Sequence, residues 1–158
     1  IRKKFPDLIL GVGTIVNVDQ LKRTIDVGAD FGISPGFETK IIKYAKENKF
    51  SYIPGVSTAS EIISCLKFDC KFLKLFPAEP LGGISYLNSL SGPFPDVSFC
   101  PTGGINSGNY LSWLSQKNVL CVGGSWIAPK NDINYDEIKK RALEVLKSYW
   151  GYDDRFKK

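Results

Sequence analysis

One lysine sits where it could do covalent chemistry. In Phe72-Leu73-Lys74-Leu75-Phe76-Pro77-Ala78-Glu79 the alternation of a strand puts Phe72, Lys74 and Phe76 on one face, with Leu73 and Leu75 on the other. Pro77 cannot donate to a sheet ladder, so the strand is expected to stop there. A charged amine between aromatic rings is costly to bury, and desolvation lowers its pKa. More free amine then exists near neutral pH, and a free amine can attack a ketone to form a Schiff base. The competing reading is a lysine whose stem packs while its ammonium snorkels to water.

Two other stretches suit an anion. Thr102-Gly103-Gly104-Ile105-Asn106 and Val122-Gly123-Gly124-Ser125-Trp126 each follow an apolar, strand-like run. Glycine lets a backbone approach an anion closely, and successive N–H groups beside a helix N-terminus can cradle a phosphate. Either Gly-Gly pair alone would fit an ordinary tight turn. Two of them after the last two strands match the place where many eight-stranded α/β barrels hold phosphate.

Other chemistries are poorly served. The chain has no histidine, which removes Ser-His-Asp and Cys-His catalysis and the commonest transition-metal ligand. No metal and no cofactor is expected, although a carboxylate-bound magnesium would not need histidine. The four cysteines, Cys65, Cys70, Cys100 and Cys121, form no C-x-x-C pair. They read as reduced thiols in a cytoplasmic protein, with Cys100 and Cys121 acting as small hydrophobes in strands. The formal net charge of +5 is spread along helices, with a small basic cluster at 155–158. Such a field suits an anionic metabolite, and no nucleic-acid motif is present. No apolar run approaches the ~20 residues that span a membrane, and no signal-peptide h-region is visible at the start. The chain contains no methionine, and its start reads as a processing or cloning edge or a break in a longer gene.

The elements that must position these groups alternate. Strands are expected at 8–14, 31–34, 52–56, 72–76, 97–102 and 119–122. Helices are expected at 17–27, 37–49, from 58 onward, 81–90, 106–116 and 135–150. Asn17-x-x-Gln20 and Thr58-x-x-Glu61 resemble capping boxes. Phe37, Ile41, Ile42 and Ala45 mark one apolar helix face; Ile138, Ala142, Leu146, Tyr149 and Trp150 mark another. Six βα units with no linker predict a single α/β domain over 1–158, built on a parallel sheet flanked by helices. Closing a (β/α)8 TIM barrel takes eight strands, so six predict an open sheet or an incomplete barrel.

Six motifs in order resemble the 2-keto-3-deoxy-6-phosphogluconate (KDPG) / 4-hydroxy-2-oxoglutarate aldolase family of class I aldolases. They are Gly-Val-Gly-Thr (11–14), Ile-Ser-Pro-Gly (33–36), Ile-Pro-Gly-Val-Ser-Thr (53–58), Leu-Lys-Leu-Phe-Pro-Ala-Glu (73–79), Phe-Cys-Pro-Thr-Gly-Gly-Ile (99–105) and Val-Gly-Gly-Ser-Trp (122–126). The resemblance runs over about residues 8–150. It implies a (β/α)8 barrel with six of its eight βα units in this chain and the first two strands missing. It implies that Lys74 forms the Schiff base, that Thr14 helps hold the substrate carboxylate, and that Pro35 and Phe76 line the pocket. Gly103, Gly104 and Ser125, with the backbone of Gly123 and Gly124, would hold the phosphate. The implied substrate is a phosphorylated keto acid, with no nucleic acid or membrane as partner. The resemblance also implies a homotrimer when full length.

Two departures stand out. Asp69 replaces a glycine usual in the family five residues before the lysine. The Glu-(Val/Ile)-Thr-(Leu/Phe)-Arg motif, with the family's general-base glutamate, does not occur; residues 1–4 are expected to end the helix that follows it. Glu79 is the nearest substitute in sequence and otherwise reads as a solvated rim carboxylate. Two functions therefore stay open: an aldolase, or a phosphate- and pyruvate-binding barrel fragment impaired in turnover. A deoxyribose-phosphate-type aldolase fits less well, because Leu-Phe-Pro-Ala-Glu points elsewhere. An incomplete barrel is also expected to leave edges at 8–14 and 119–122, and so to aggregate or assemble.

Overall fold

Short runs rich in Val, Ile and Phe, each followed by an amphipathic stretch, fold as parallel strands joined by helices. The computed structural model describes residues 1–131 and 134–152, with side chains as far as 149. The strands are β1 (Gly11–Val12), β2 (Phe31–Ile33), β3 (Ser51–Ile53), β4 (Gly55–Val56), β5 (Phe72–Leu75) and β6 (Ser98–Pro101). The helices are α1 (Val18–Asp26), α2 (Thr39–Glu47), α3 (Ala59–Leu66), α4 (Gly83–Ser91), α5 (Tyr110–Leu114) and α6 (Tyr135–Tyr152). The strands form two parallel sheets, ordered β1-β2-β3 and β4-β5-β6.

Pro54 divides the two sheets. The expected strand 52–56 becomes β3 and β4 on either side of it, because proline brings no N–H to a ladder. Its carbonyl still accepts from the Lys74 N–H at 2.9 Å. The expected sixth strand at 119–122 is reduced to two isolated parallel bridges, Phe99 to Val119 and Thr102 to Gly123. The described residues do not close into a barrel.

The core has two parts, one per sheet. Ile15, Leu21, Ile41 and Ala45 gather beside the first sheet. Leu73, Leu75, Phe99 and Trp113, each 0% exposed, anchor the larger cluster beside the second. Each such side chain contributes about 1.5–3 kcal/mol of burial. The outward face of β5 is thereby fixed by Leu73 and Leu75, which sends Lys74 and Phe76 to the opposite face.

Helix ends follow local chemistry. Thr58 and Glu61 form the expected capping box on α3. On α1, Asn17 accepts from the Gln20 N–H, but Gln20 Oε1 accepts from Val16 rather than from Asn17. Of the expected apolar face on α6, Leu146 is exposed, while Val145 packs on the larger core. The Trp150 side chain and residues 155–158 lie outside the described residues. Residues 1–4 form a turn, with the Lys4 and Phe5 N–H groups donating to the Ile1 carbonyl. No helix among the described residues is long and apolar enough to cross a membrane.

Candidate active site

β5 holds Lys74 with its side chain 8% exposed. The ammonium nitrogen lies 4.6 Å from the centroid of the Phe76 ring, as strand alternation predicts for residues two apart. No carboxylate pairs with it among the described residues. Burial holds the Lys74 amine below its ordinary value, and the Cys100 thiol opposes that shift. The strand register puts Gly55 of β4 on one side of Lys74 and Cys100 of β6 on the other. A Cβ at Gly55 would fall 2.3 Å from the Pro35 carbonyl carbon, so the chain at Pro35 packs against the strand flanking the lysine. Pro35, Gly55 and Lys74 thus form one row.

The glycine loops meet the same rim. A cavity of about 380 Å³ is lined by Phe76, Gly103, Gly104, Gly124 and Ser125, with Thr102 and Ile105 completing its wall. Gly103 (φ 95°) and Gly104 (φ 86°) occupy the left-handed region. A Cβ at Gly104 would also strike the Glu79 Cβ at 2.5 Å. The N–H groups of Gly104, Gly124 and Ser125 have no hydrogen-bond partner within the described residues, while that of Gly103 faces the Gly123 carbonyl across the Thr102–Gly123 bridge. Gly123 differs, because its N–H donates to the Pro101 carbonyl at 2.9 Å and is not available to an anion. The expected helix N-terminus is also displaced, since α5 starts only at Tyr110.

Thr14 stands apart from this cavity. It is exposed and lines a separate cavity of about 340 Å³ with Gln20 and Arg23. Its φ of 61° is unusual for a β-branched residue and costs about 1–3 kcal/mol.

Glu79 is committed elsewhere. Its Oε1 accepts from Trp113 Nε1 at 2.7 Å and from Asn109 Nδ2 at 3.1 Å, which ties the turn after β5 to α5. That geometry makes it a structural acceptor rather than the substitute base. Sequence reading missed Cys100 as a neighbour of the lysine; the signal was Phe-Cys-Pro at strand spacing, which puts Cys100 opposite Phe99, but only the register adds Lys74. Among the described residues no three His, Cys, Asp or Glu side chains converge as a metal site requires.

Residues 1–142 match the family described as KDPG and KHG aldolase. The chain belongs to that family. The KHG/KDPG aldolase of Escherichia coli K12 is 44% identical over 149 residues, covering 92% of this chain and 70% of that protein. The 2-dehydro-3-deoxy-phosphogluconate aldolase of Dickeya dadantii is 42% identical over the same shares of each chain. Among solved structures, the KDPG aldolase of Legionella pneumophila with pyruvate captured as a covalent carbinolamine superposes with a TM-score of 0.88. It is 41% identical, and the match covers 91% of this chain and 71% of that one. The Zymomonas mobilis enzyme with 3-phosphoglycerate gives 0.83 at 35% identity, covering 89% and 66%. In this member of the family Lys74 lies on the central strand of the second sheet, and the two glycine loops lie on the strand rim beside it.

Proposed function

We propose that this chain is a class I aldolase that cleaves 2-keto-3-deoxy-6-phosphogluconate to pyruvate and glyceraldehyde 3-phosphate, a step of Entner-Doudoroff-type sugar acid breakdown. Lys74 attacks the C2 ketone and gives a carbinolamine, which loses water to an iminium. The iminium draws electrons from the C3–C4 bond as a base takes the C4 hydroxyl proton. C4 leaves as the aldehyde, and the enamine left on Lys74 is protonated and hydrolysed to pyruvate. The protonated imine is the electron sink.

One observation carries this reading: a nearly buried lysine, unpaired with any described carboxylate and lowered by burial, beside a cavity walled by both glycine loops. The carbinolamine in the Legionella relative supports the amine chemistry. We assign Thr14 to the substrate carboxylate, Pro35 and Phe76 to the pocket wall, and Gly103, Gly104, Gly124 and Ser125 to the phosphate, with Gly123 holding its loop in place. We read residues 1–158 as one domain, its six βα units as part of a (β/α)8 architecture, its location as cytoplasmic, and the assembly of the full-length protein as a homotrimer, by family resemblance.

Reductive trapping tests the reading. Pyruvate and borohydride should label Lys74, located by peptide mapping, and Lys74→Arg should abolish the label, since a guanidinium stays protonated. Label on another lysine of the folded protein would overturn the assignment.

A further inference from the structure

The reaction above leaves two thiols beside the amine unused. Cys100 is the register partner of Lys74 across the β5–β6 pair, and neighbouring strands lie about 4.8 Å apart. Cys121 lies on the next segment, between the two bridges that join it to β6. Residues 100 and 101 oppose 120, 121 and 122 there, and counting back from the Thr102–Gly123 bridge makes Cys121 the register partner of Cys100. Lys74, Cys100 and Cys121 therefore form one row across the sheet.

We propose that Cys100 and Cys121 are a reversible redox pair, which a hydroperoxide converts to a disulfide, removing the thiolate that faces Lys74. The effect on catalysis rests on the imine reading of Lys74.

The four cysteines differ in the way this requires. Cys121 beside it brings the Cys100 thiol down to about 7, against the opposing effect of burial, with Thr102 and Lys74 assisting. Cys121 is pushed up by the neighbouring Cys100 and by burial. Burial pushes Cys65 up to about 12 and raises Cys70 as well. The thiolate is the nucleophile, so Cys100 reacts first. It is 6% exposed, but it faces the amine that a keto acid must reach, and a peroxide is smaller. Cys121 is exposed and can resolve the product.

The steps balance. The Cys100 thiolate attacks one peroxide oxygen, the O–O bond breaks, and hydroxide leaves a sulfenic acid on sulfur. Cys121 gives its proton to that hydroxide and attacks the sulfenic sulfur. The S–S bond forms, the S–O bond breaks, and the second oxygen leaves as hydroxide, which takes up the proton that Cys100 gave to solvent on ionising and becomes water. Two thiols are oxidised by two electrons, and hydrogen peroxide becomes two waters. A thiol reductant reverses the reaction by exchange.

Among the described residues Cys100 is the sole ionisable group acting on the Lys74 amine. Gly55 and the Phe76 ring, its other neighbours, do not titrate. Removing the thiolate removes what favours the ammonium, so oxidation frees more amine at a given pH.

The test uses the full chain. After hydrogen peroxide, intact mass should fall by two hydrogens, and non-reducing peptide maps should link Cys100 to Cys121, with reversal by dithiothreitol. Cys121→Ser should give a dimedone-reactive Cys100 and no link. Pyruvate is then trapped with cyanoborohydride, which spares disulfides, across a pH series. The oxidised form should reach half-maximal trapping about 0.5–1 pH unit lower, a ~3–10-fold gain below the midpoint. Absence of the link while peroxide consumes Cys65 or Cys70, or a link with an unmoved profile, overturns the proposal. A reduced protein that traps no pyruvate sinks the imine reading and the catalytic half of this one, whereas the link is read by mass alone.

Discussion

At the scale of single residues, two positions trade stability for chemistry. Lys74 is charged in the unfolded chain up to about its ordinary value of 10.5, while in the folded protein its amine gives up the proton earlier. Between those two points the unfolded state binds more protons, so stability rises with pH across that window; below it both states are charged and the full burial cost is present. Lys74→Met should therefore melt higher than the wild type at pH 7, by about 1 kcal/mol in denaturant titrations, lose the high-pH gain and trap no pyruvate. Thr14 carries its cost in the backbone. Thr14→Gly relieves the left-handed φ and should gain about 1 kcal/mol while raising KM for the keto acid. A melt that falls instead would remove strain from the account. Lys74 was legible because alternation alone places it with Phe76. The φ of Thr14 was not, since nothing in Gly-Val-Gly-Thr distinguishes a threonine in that region from one in a strand.

At the scale of elements, the link between the β5 turn and α5 decides what Glu79 does. Trp113 is 0% exposed, and its indole N–H has Glu79 as acceptor. Glu79→Ala leaves that donor unpaired and should cost about 1–3 kcal/mol. Glu79→Gln keeps a carbonyl acceptor and should retain both fold and kcat; a large drop in kcat for the Gln variant with an unchanged melt would make Glu79 the base after all. Glu79 is exposed, as a rim carboxylate was expected to be, but its contact with Trp113 spans 34 positions, which is why residue patterns did not show it as an acceptor. The same limit applies to Cys100, whose partner Lys74 is set by strand register. Local signals fared better: the Thr58–Glu61 capping box formed as read and Ile41, Ile42 and Ala45 are buried on α2, because both are decided within a turn or two, whereas Phe37 precedes the helix and packs on the other core. The run 119–122 failed as a strand because a bulge, invisible in Val-Leu-Cys-Val, breaks its ladder. Asp69 takes a φ of 53°, so the residue that replaces the family's glycine keeps a conformation glycine adopts freely and aspartate tolerates.

At the scale of the molecule, the proposed phosphate site would combine the formal charge of +5 with the unbonded N–H groups of the glycine loops. Ser125→Asp puts a negative charge into the cavity and should raise KM for the phosphorylated substrate at least ~10-fold, with little change in pyruvate trapping. Equal losses on both ligands would move the phosphate elsewhere.

The break at Pro54 has a mechanical consequence. It leaves two sheets that meet around Pro54, where Gly55 donates to the Gly36 carbonyl and Lys74 to that of Pro54, with Thr14 on the rim of one sheet and Lys74 with the glycine loops on the other. A substrate held by its carboxylate, its imine and its phosphate would bridge the sheets, while pyruvate would leave the phosphate end loose. Amide exchange at 51–56 should accordingly slow more with a full-length phosphorylated keto acid than with pyruvate, so that the length of the ligand is felt as rigidity at a proline that touches neither end of it.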